Sequence, residues 1–326
     1  MSGMEGQGRT ASDHFDGRRF FTPDAPPVAT LGMVLRWQFF SHRKKAVWPS
    51  SVPVLESKPE SRPGAVTATW INHSTFLLQT PAGNFLTDPV YSRRAGPLGL
   101  VGPRRVHAPG VPFDALPGIT AVLLSHDHYD HCDMAALRRL ARRDAPVAIT
   151  PLGNGALLRS AGFTRIVELD WWGQTREVPG VDIAVTPAQH WSNRLSGLRC
   201  RRLWGGFFLT LSGLRIYFAG DSGYHPRIFR QIRENLGAPD LALLPIGAYE
   251  PRWFMRPQHC DPAEAVQIHL DVGARRSVAM HWGCFQLTDE AREEPPRALG
   301  RALADAGLAP ESFVAVAPGE SVAVGG

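Results

Sequence analysis

A chain of 326 residues with 44% hydrophobic content can bury a full core, which excludes an intrinsically disordered protein. Its formal net charge of +5 and isoelectric point near 9.3 favour anionic partners, but no nucleic-acid-binding motif accompanies the charge, so nucleic acid is not an expected partner. Cys132, Cys200, Cys260 and Cys284 lack paired spacing, which favours reduced thiols in a cytoplasmic protein over a disulfide framework.

Residues 1–65 read as an N-terminal arm. Residues 1–19 are small, polar and charged; their start is expected to be disordered, and they lack the apolar stretch of a signal peptide. Proline is frequent from Thr22 to Pro63 and keeps the arm extended. The exception is 30–40, where Leu31, Met33, Val34, Leu35, Trp37, Phe39 and Phe40 form the apolar material of one short amphipathic helix. No apolar run approaches the ~20 residues of a membrane-spanning helix.

A single domain, 66–326, follows. Strands are expected at 121–124, 181–186, 207–211, 214–218 and 277–280, with Ser212-Gly213 turning one pair into a hairpin. Amphipathic spacing predicts helices over 133–143, 226–235, 262–271 and 297–306. Asp261-Pro262 supplies an N-cap and a proline at the first helical position. Strands interleaved with helices, together with adjoining strand pairs, indicate an α/β fold of mixed sheets covered by helices.

The apolar run Ala121-Val122-Leu123-Leu124 leads directly into Ser125-His126-Asp127-His128-Tyr129-Asp130-His131. Three histidines and an aspartate in six positions offer the imidazole nitrogens and carboxylate oxygens that borderline divalent ions accept. They are too crowded for one ion, and alternation can turn His126 and His128 toward one and Asp130 and His131 toward a second. Two ions need more donors, and His190, Asp221 and His281 each stand just beyond a strand-like run. Cys132 adjoins this loop and is expected to be a buried thiol.

The order His-x-His-x-Asp-His, then His, Asp and His, is similar to the ligand series of the metallo-β-lactamase-fold hydrolases. Ile246-Gly247-Ala248-Tyr249-Glu250-Pro251-Arg252-Trp253-Phe254-Met255, Gln258-His259 and His281-Trp282-Gly283 resemble, more narrowly, the N-acyl-phosphatidylethanolamine-hydrolysing phospholipase D family. So do Phe85-Leu86-Thr87-Asp88-Pro89, Gly102-Pro103-Arg104-Arg105, Glu168-Leu169-Asp170-Trp171-Trp172 and Gly220-Asp221-Ser222-Gly223-Tyr224. The similarity runs from about Trp70 to about Leu299 and weakens in the arm.

This resemblance implies a four-layer αβ/βα sandwich with two facing mixed sheets and metals at one edge. The implied activity is zinc-dependent hydrolysis of a phospholipid diester, releasing N-acylethanolamine and phosphatidic acid. Two divalent ions are expected, Zn2+ by the N/O donors, although iron or manganese occupies similar sites. Asp221 is the natural bridge because a carboxylate has two oxygens. One ion then takes His126, His128 and His190, and the other Asp130, His131 and His281. Asp130 and Asp221 are the expected catalytic carboxylates, with Asp130 or a water as general acid, and Asp88 is the candidate to orient a ligating histidine. Tyr129 and His259 are implied to face the phospholipid.

Arg43-Lys44-Lys45, Arg104-Arg105 and Arg199 with Arg201-Arg202 fit peripheral contact with an anionic membrane, and equally an ordinary solvated exterior. A homodimer is left open. Two other readings compete. One is a soluble hydrolase of the same fold acting on a sugar-phosphate lactone or a cyclic nucleotide, which would lack an apolar acyl channel. The other is a non-enzymatic lipid-binding module, which would be expected to lose ligands.

Overall fold

A computed structural model of the chain describes residues 11–27, 30–40, 45–60, 65–194 and 199–325. Among these, the first sheet comprises β1 (Thr67–Asn72), β2 (Thr75–Thr80), β3 (Gly83–Thr87), β4 (Ala121–Leu123), β5 (Val147–Pro151) and β6 (Ile166–Leu169). The second comprises β7 (Gln174–Thr175), β8 (Asp182–Thr186), β9 (Gly206–Leu211), β10 (Leu214–Phe218), β11 (Leu241–Pro245), β12 (Arg276–Met280) and β13 (Phe313–Val314). Strand β14 (Ser321–Ala323) then returns to the first sheet beside β1.

Both sheets are mixed, as expected. β1, β2 and β3 pair antiparallel, and β3 to β6 run parallel. β7 to β10 are antiparallel, and β10 to β13 parallel. The expected hairpin forms with Leu211 opposite Leu214 and Phe207 opposite Phe218. Ser212 and Gly213 both take positive φ, the backbone hand that a tight hairpin turn needs.

Helices cover both sheets: α1 (Leu31–Leu35), α2 (Met134–Asp144), α3 (Gly155–Ser160), α4 (Ile228–Leu236), α5 (Arg252–Met255), α6 (Pro262–Val272) and α7 (Glu294–Asp305). β4 shows why its sequence is a continuous apolar run. Ala121 and Leu123 join the core shared by the two sheets, whereas Val122 and Leu124 pack beneath α2 with Leu137 and Leu140. A strand buried on both faces has no polar side to alternate with. Asp133 caps α2 by accepting from the Ala135 and Ala136 amides, and Asp261 and Glu264 form a reciprocal capping box at α6.

Helix α7 begins three residues before the expected 297, running through Pro295-Pro296. Proline breaks a helix interior, but its missing N–H costs nothing in the first turn. In the arm, α1 continues as a π-helical turn over Arg36–Phe40. Trp37 is buried there, its ring 4.9 Å from that of Phe254 and its indole N–H donating to Asp289.

The polar stretch before it is anchored from residue 11 onward. Phe20 is buried in the main core and donates its amide to the Cys200 carbonyl, and the His14 ring stacks on Trp171 with Nε2 2.7 Å from Asp170. The expectation of disorder at the chain start concerns residues 1–10, which lie outside the described residues. Among the described residues no helix is long and apolar enough to cross a membrane.

Candidate metal centre

Parallel strands deliver their C-terminal ends to a common edge, and the donors stand there. β4 runs out into Ser125–His131, β10 into Gly220-Asp221, β12 into His281, and antiparallel β8 leads through Pro187-Ala188-Gln189 to His190. Gly220 makes the β10 exit feasible. Its φ is +62°, and a Cβ there would sit 2.8 Å from the Gly205 carbonyl oxygen. His73, Asp88 and His281 also hold positive φ, a strained backbone state that clusters at functional positions.

The seven expected donors converge in two groups. In the first, His128 Nδ1 lies 3.0 Å from His126 Nε2 and 3.2 Å from His190 Nε2. In the second, Asp130 Oδ2 lies 3.6 Å from His131 Nε2 and 3.5 Å from His281 Nε2. Asp221 Oδ2 stands between the groups. It is 3.0 Å from His281 Nε2, 3.1 Å from His131 Nε2, 3.7 Å from His190 Nε2 and 3.9 Å from His126 Nε2.

Neighbours hold two of the donor rings in orientation. Asp88 Oδ2 is 2.7 Å from His131 Nδ1 and also accepts the Ser125 hydroxyl proton, and Oδ1 accepts the Ser125 amide. His190 donates Nδ1–H to the Gln258 carbonyl, which leaves Nε2 free for a cation. Burial pushes the Asp88 carboxyl up, against the pull of His131 and Ser125.

The two groups differ electrostatically. Desolvation lowers all three imidazoles of the first: His128 to about 4, His190 to about 3, and His126 well below its ordinary value. These rings are neutral lone-pair donors at pH 7. In the second group burial opposes charge on His131 and His281, but the Asp221 and Asp130 carboxylates outweigh it. His281 is pushed up to about 9 and His131 well above its usual range. Reciprocally, burial would raise Asp130 and Asp221, yet His131 and its neighbours hold both well below the usual carboxylate range.

The donor set fits divalent cations. Nε2 of His131 and of His281 approaches Asp221 without hydrogen-bonding geometry, and Asp221 Oδ1 is buried with no hydrogen-bond partner. Buried polar atoms in that condition are costly unless a cation satisfies them.

Tyr129 and Asp221 line one cavity of about 470 Å³, together with His128, Asp130 and His259. The Arg194 guanidinium stacks 4.1 Å from the Tyr129 ring centroid. His259 Nδ1 is 4.0 Å from Asp221 Oδ2, and its ring lies 5.1 Å from those of His190 and His281. It is close enough to act as a further donor in a group with His190 and Asp221. Cys132 is a buried thiol outside every donor group among the described residues.

One residue at the centre escapes a reading of the sequence. His73, in the turn between β1 and β2, places Nε2 3.0 Å from Asp130 Oδ2 and forms a donor group with Asp130, His131 and His281. A lone histidine between two strand-like runs carries no local signal of this.

A family profile described as a β-lactamase superfamily domain matches residues 83–282. An uncharacterized protein of Mycobacterium tuberculosis is 39% identical over 288 residues, covering 86% of this chain and 75% of that protein. N-acyl-phosphatidylethanolamine-hydrolyzing phospholipase D 1 of Caenorhabditis elegans is 35% identical over 289 residues, covering 85% of this chain and 81% of that enzyme. Among solved structures, a possible metal-dependent hydrolase from Veillonella parvula superposes with a TM-score of 0.64 at 15% identity, over 80% of this chain and 100% of that one, a likeness of fold.

Proposed function

This chain belongs to the β-lactamase superfamily as a metal-dependent hydrolase, and on that premise we propose that it is a phosphodiesterase of phospholipase D type, hydrolysing N-acyl-phosphatidylethanolamine to N-acylethanolamine and phosphatidic acid. The observation that carries this reading is the wall of the cavity beside the donors. Asp130 and Asp221 line one part of it, and Val34, Trp37, Phe254 and Met255 line another. An acyl chain can lie on that wall while its phosphodiester reaches the carboxylates. A soluble lactone or cyclic nucleotide has no use for such a wall.

His126, His128 and His190 would hold one divalent ion and Asp130, His131 and His281 a second, with Asp221 shared. Zn2+ is our choice from the nitrogen and oxygen donors. A pair of such ions lowers the pKa of water toward neutrality and offsets charge on a phosphodiester. Asp130 is ionised at neutral pH, which suits it to holding a cation and argues against its protonating the leaving alkoxide. Tyr129 and His259 line the cavity and would contact the phosphate and its substituents.

We extend the reading to a membrane-peripheral protein at the cytoplasmic face. Leu35, Phe39 and Trp253 are exposed near the apolar wall, and Leu98, Leu100 and Val101 are exposed on a loop beside a second cavity that Tyr129 also lines. Arg199 lines the main cavity and would meet anionic headgroups. Arg43 and Lys44 lie outside the described residues.

The test is metal analysis of purified protein paired with a product assay. We expect two ions per chain and N-acylethanolamine release from N-acyl-phosphatidylethanolamine well above ethanolamine release from ordinary phosphatidylethanolamine. Hydrolysis of neither lipid, or of both at equal rates, would refute the assignment.

Metal uptake should also separate the two positions by pH. The first group carries no proton to displace above about pH 5. The second must lose the His281 proton, bound below about 9, so its affinity rises with pH. From pH 6 to pH 8 we expect affinity for the second ion to rise about 100-fold through His281 alone, and that for the first to stay flat. Chelator-competition titrations at both pH values read this directly. Equal slopes would sink the assignment of charge to the second group.

A further inference from the structure

His73 is almost wholly buried at 1% exposure and holds a φ of +44° in the turn joining β1 to β2. Its backbone and its ring both point to the same half of the centre. The His73 carbonyl accepts the His281 amide at 2.9 Å and the Trp70 indole N–H at 2.8 Å. The ring lies 4.0 Å from that of His281, centroid to centroid, with Phe285 edge-on at 5.4 Å behind it. Nε2 faces Asp130 Oδ2 at 3.0 Å, and Nδ1 is buried without a partner. With a carboxylate at one nitrogen and nothing at the other, the proton belongs on Nε2, donated to Asp130.

We propose that His73 is a positioning residue for the second ion: its ring orients the Asp130 carboxylate, and its carbonyl fixes the backbone that presents His281. This rests on the two-ion reading of the site. His73 touches all three expected ligands of one position, Asp130 through Nε2, His281 ring to ring at 4.0 Å and His131 ring to ring at 5.2 Å, and the structure gives it no contact with His126, His128 or His190. Its influence should therefore be selective. Loss of a group that orients a metal ligand costs about 10- to 100-fold in metal affinity.

Two substitutions separate the roles. His73→Asn keeps a residue type that tolerates positive φ, preserving the turn and its carbonyl, but its amide ends short of Asp130. His73→Gln restores a side-chain N–H at about the reach of Nε2. Each full-length protein is titrated with Zn2+ against a competing chelator.

We expect H73N to bind the first ion as the wild type does and the second about 10- to 100-fold more weakly, with H73Q recovering most of the loss. Equal weakening of both ions would mean a general structural role and overturn the proposal. So would unchanged affinities in H73N. An H73Q protein no better than H73N would show that a side-chain N–H facing Asp130 is not what secures the second ion, which also overturns it. If the wild type takes up a single ion, the two-ion reading fails and takes this inference with it. Failure of the lipid assay alone leaves the inference standing, because its readout is metal affinity.

Discussion

Asp221→Asn is expected to abolish turnover, with a loss of about 10³-fold or more, and to lower bound metal from two ions to one or none. Asp221 is buried, and one of its oxygens lies within 4 Å of histidines from both donor groups. Asparagine preserves the shape but removes the negative charge and exchanges one oxygen for an NH2 group that cannot ligate. It also removes one of the two carboxylates that hold His131 and His281 protonated, so the second position loses its charge partner along with its shared ligand. Metal analysis and steady-state kinetics on one preparation test both parts. A variant with full activity and two ions would refute the bridging role of Asp221.

The centre was legible in the sequence wherever its chemistry is local. His126, His128, Asp130 and His131 leave one strand end within six positions, so alternation along the loop can already turn them into two donor groups. His190, Asp221 and His281 are single residues, but each follows an apolar run, and strand exits are where a sheet edge gathers side chains. Asp88 is the last case that a pattern could reach, two positions beyond Leu86 at the exit of β3.

His73 was beyond that reach. Its meeting with Asp130 depends on β1 and β2 standing in the same sheet as β4, a tertiary fact with no imprint on the residues around it. The same holds for the arm. Before its helix the arm is polar, and its attachment there comes from Phe20 and His14 acting singly, with no period to read. Helices α3 and α5, of six and four residues, are too short to show a 3.6-residue period at all.

Gly247→Ala should unfold the second half of the centre from a position that binds nothing. Gly247 follows the end of β11, and Ile246 before it donates its amide to Met280 at the end of neighbouring β12. The two strand exits therefore run in close contact. A Cβ on Gly247 would stand 2.2 Å from the His281 carbonyl oxygen and 3.1 Å from Trp282 Cα. No rotamer relieves a clash between Cβ and backbone, so one of the exits must move. His281 has little room to yield, because its φ is already +60° and its amide is tied to His73. We expect destabilisation on the order of 3 kcal/mol, together with loss of the second ion and retention of the first. Urea unfolding of metal-free protein measures the first effect, and chelator competition the second. A Gly247→Ala protein with an unchanged urea midpoint and two firmly held ions would show that the β11 and β12 exits do not constrain His281 in this way.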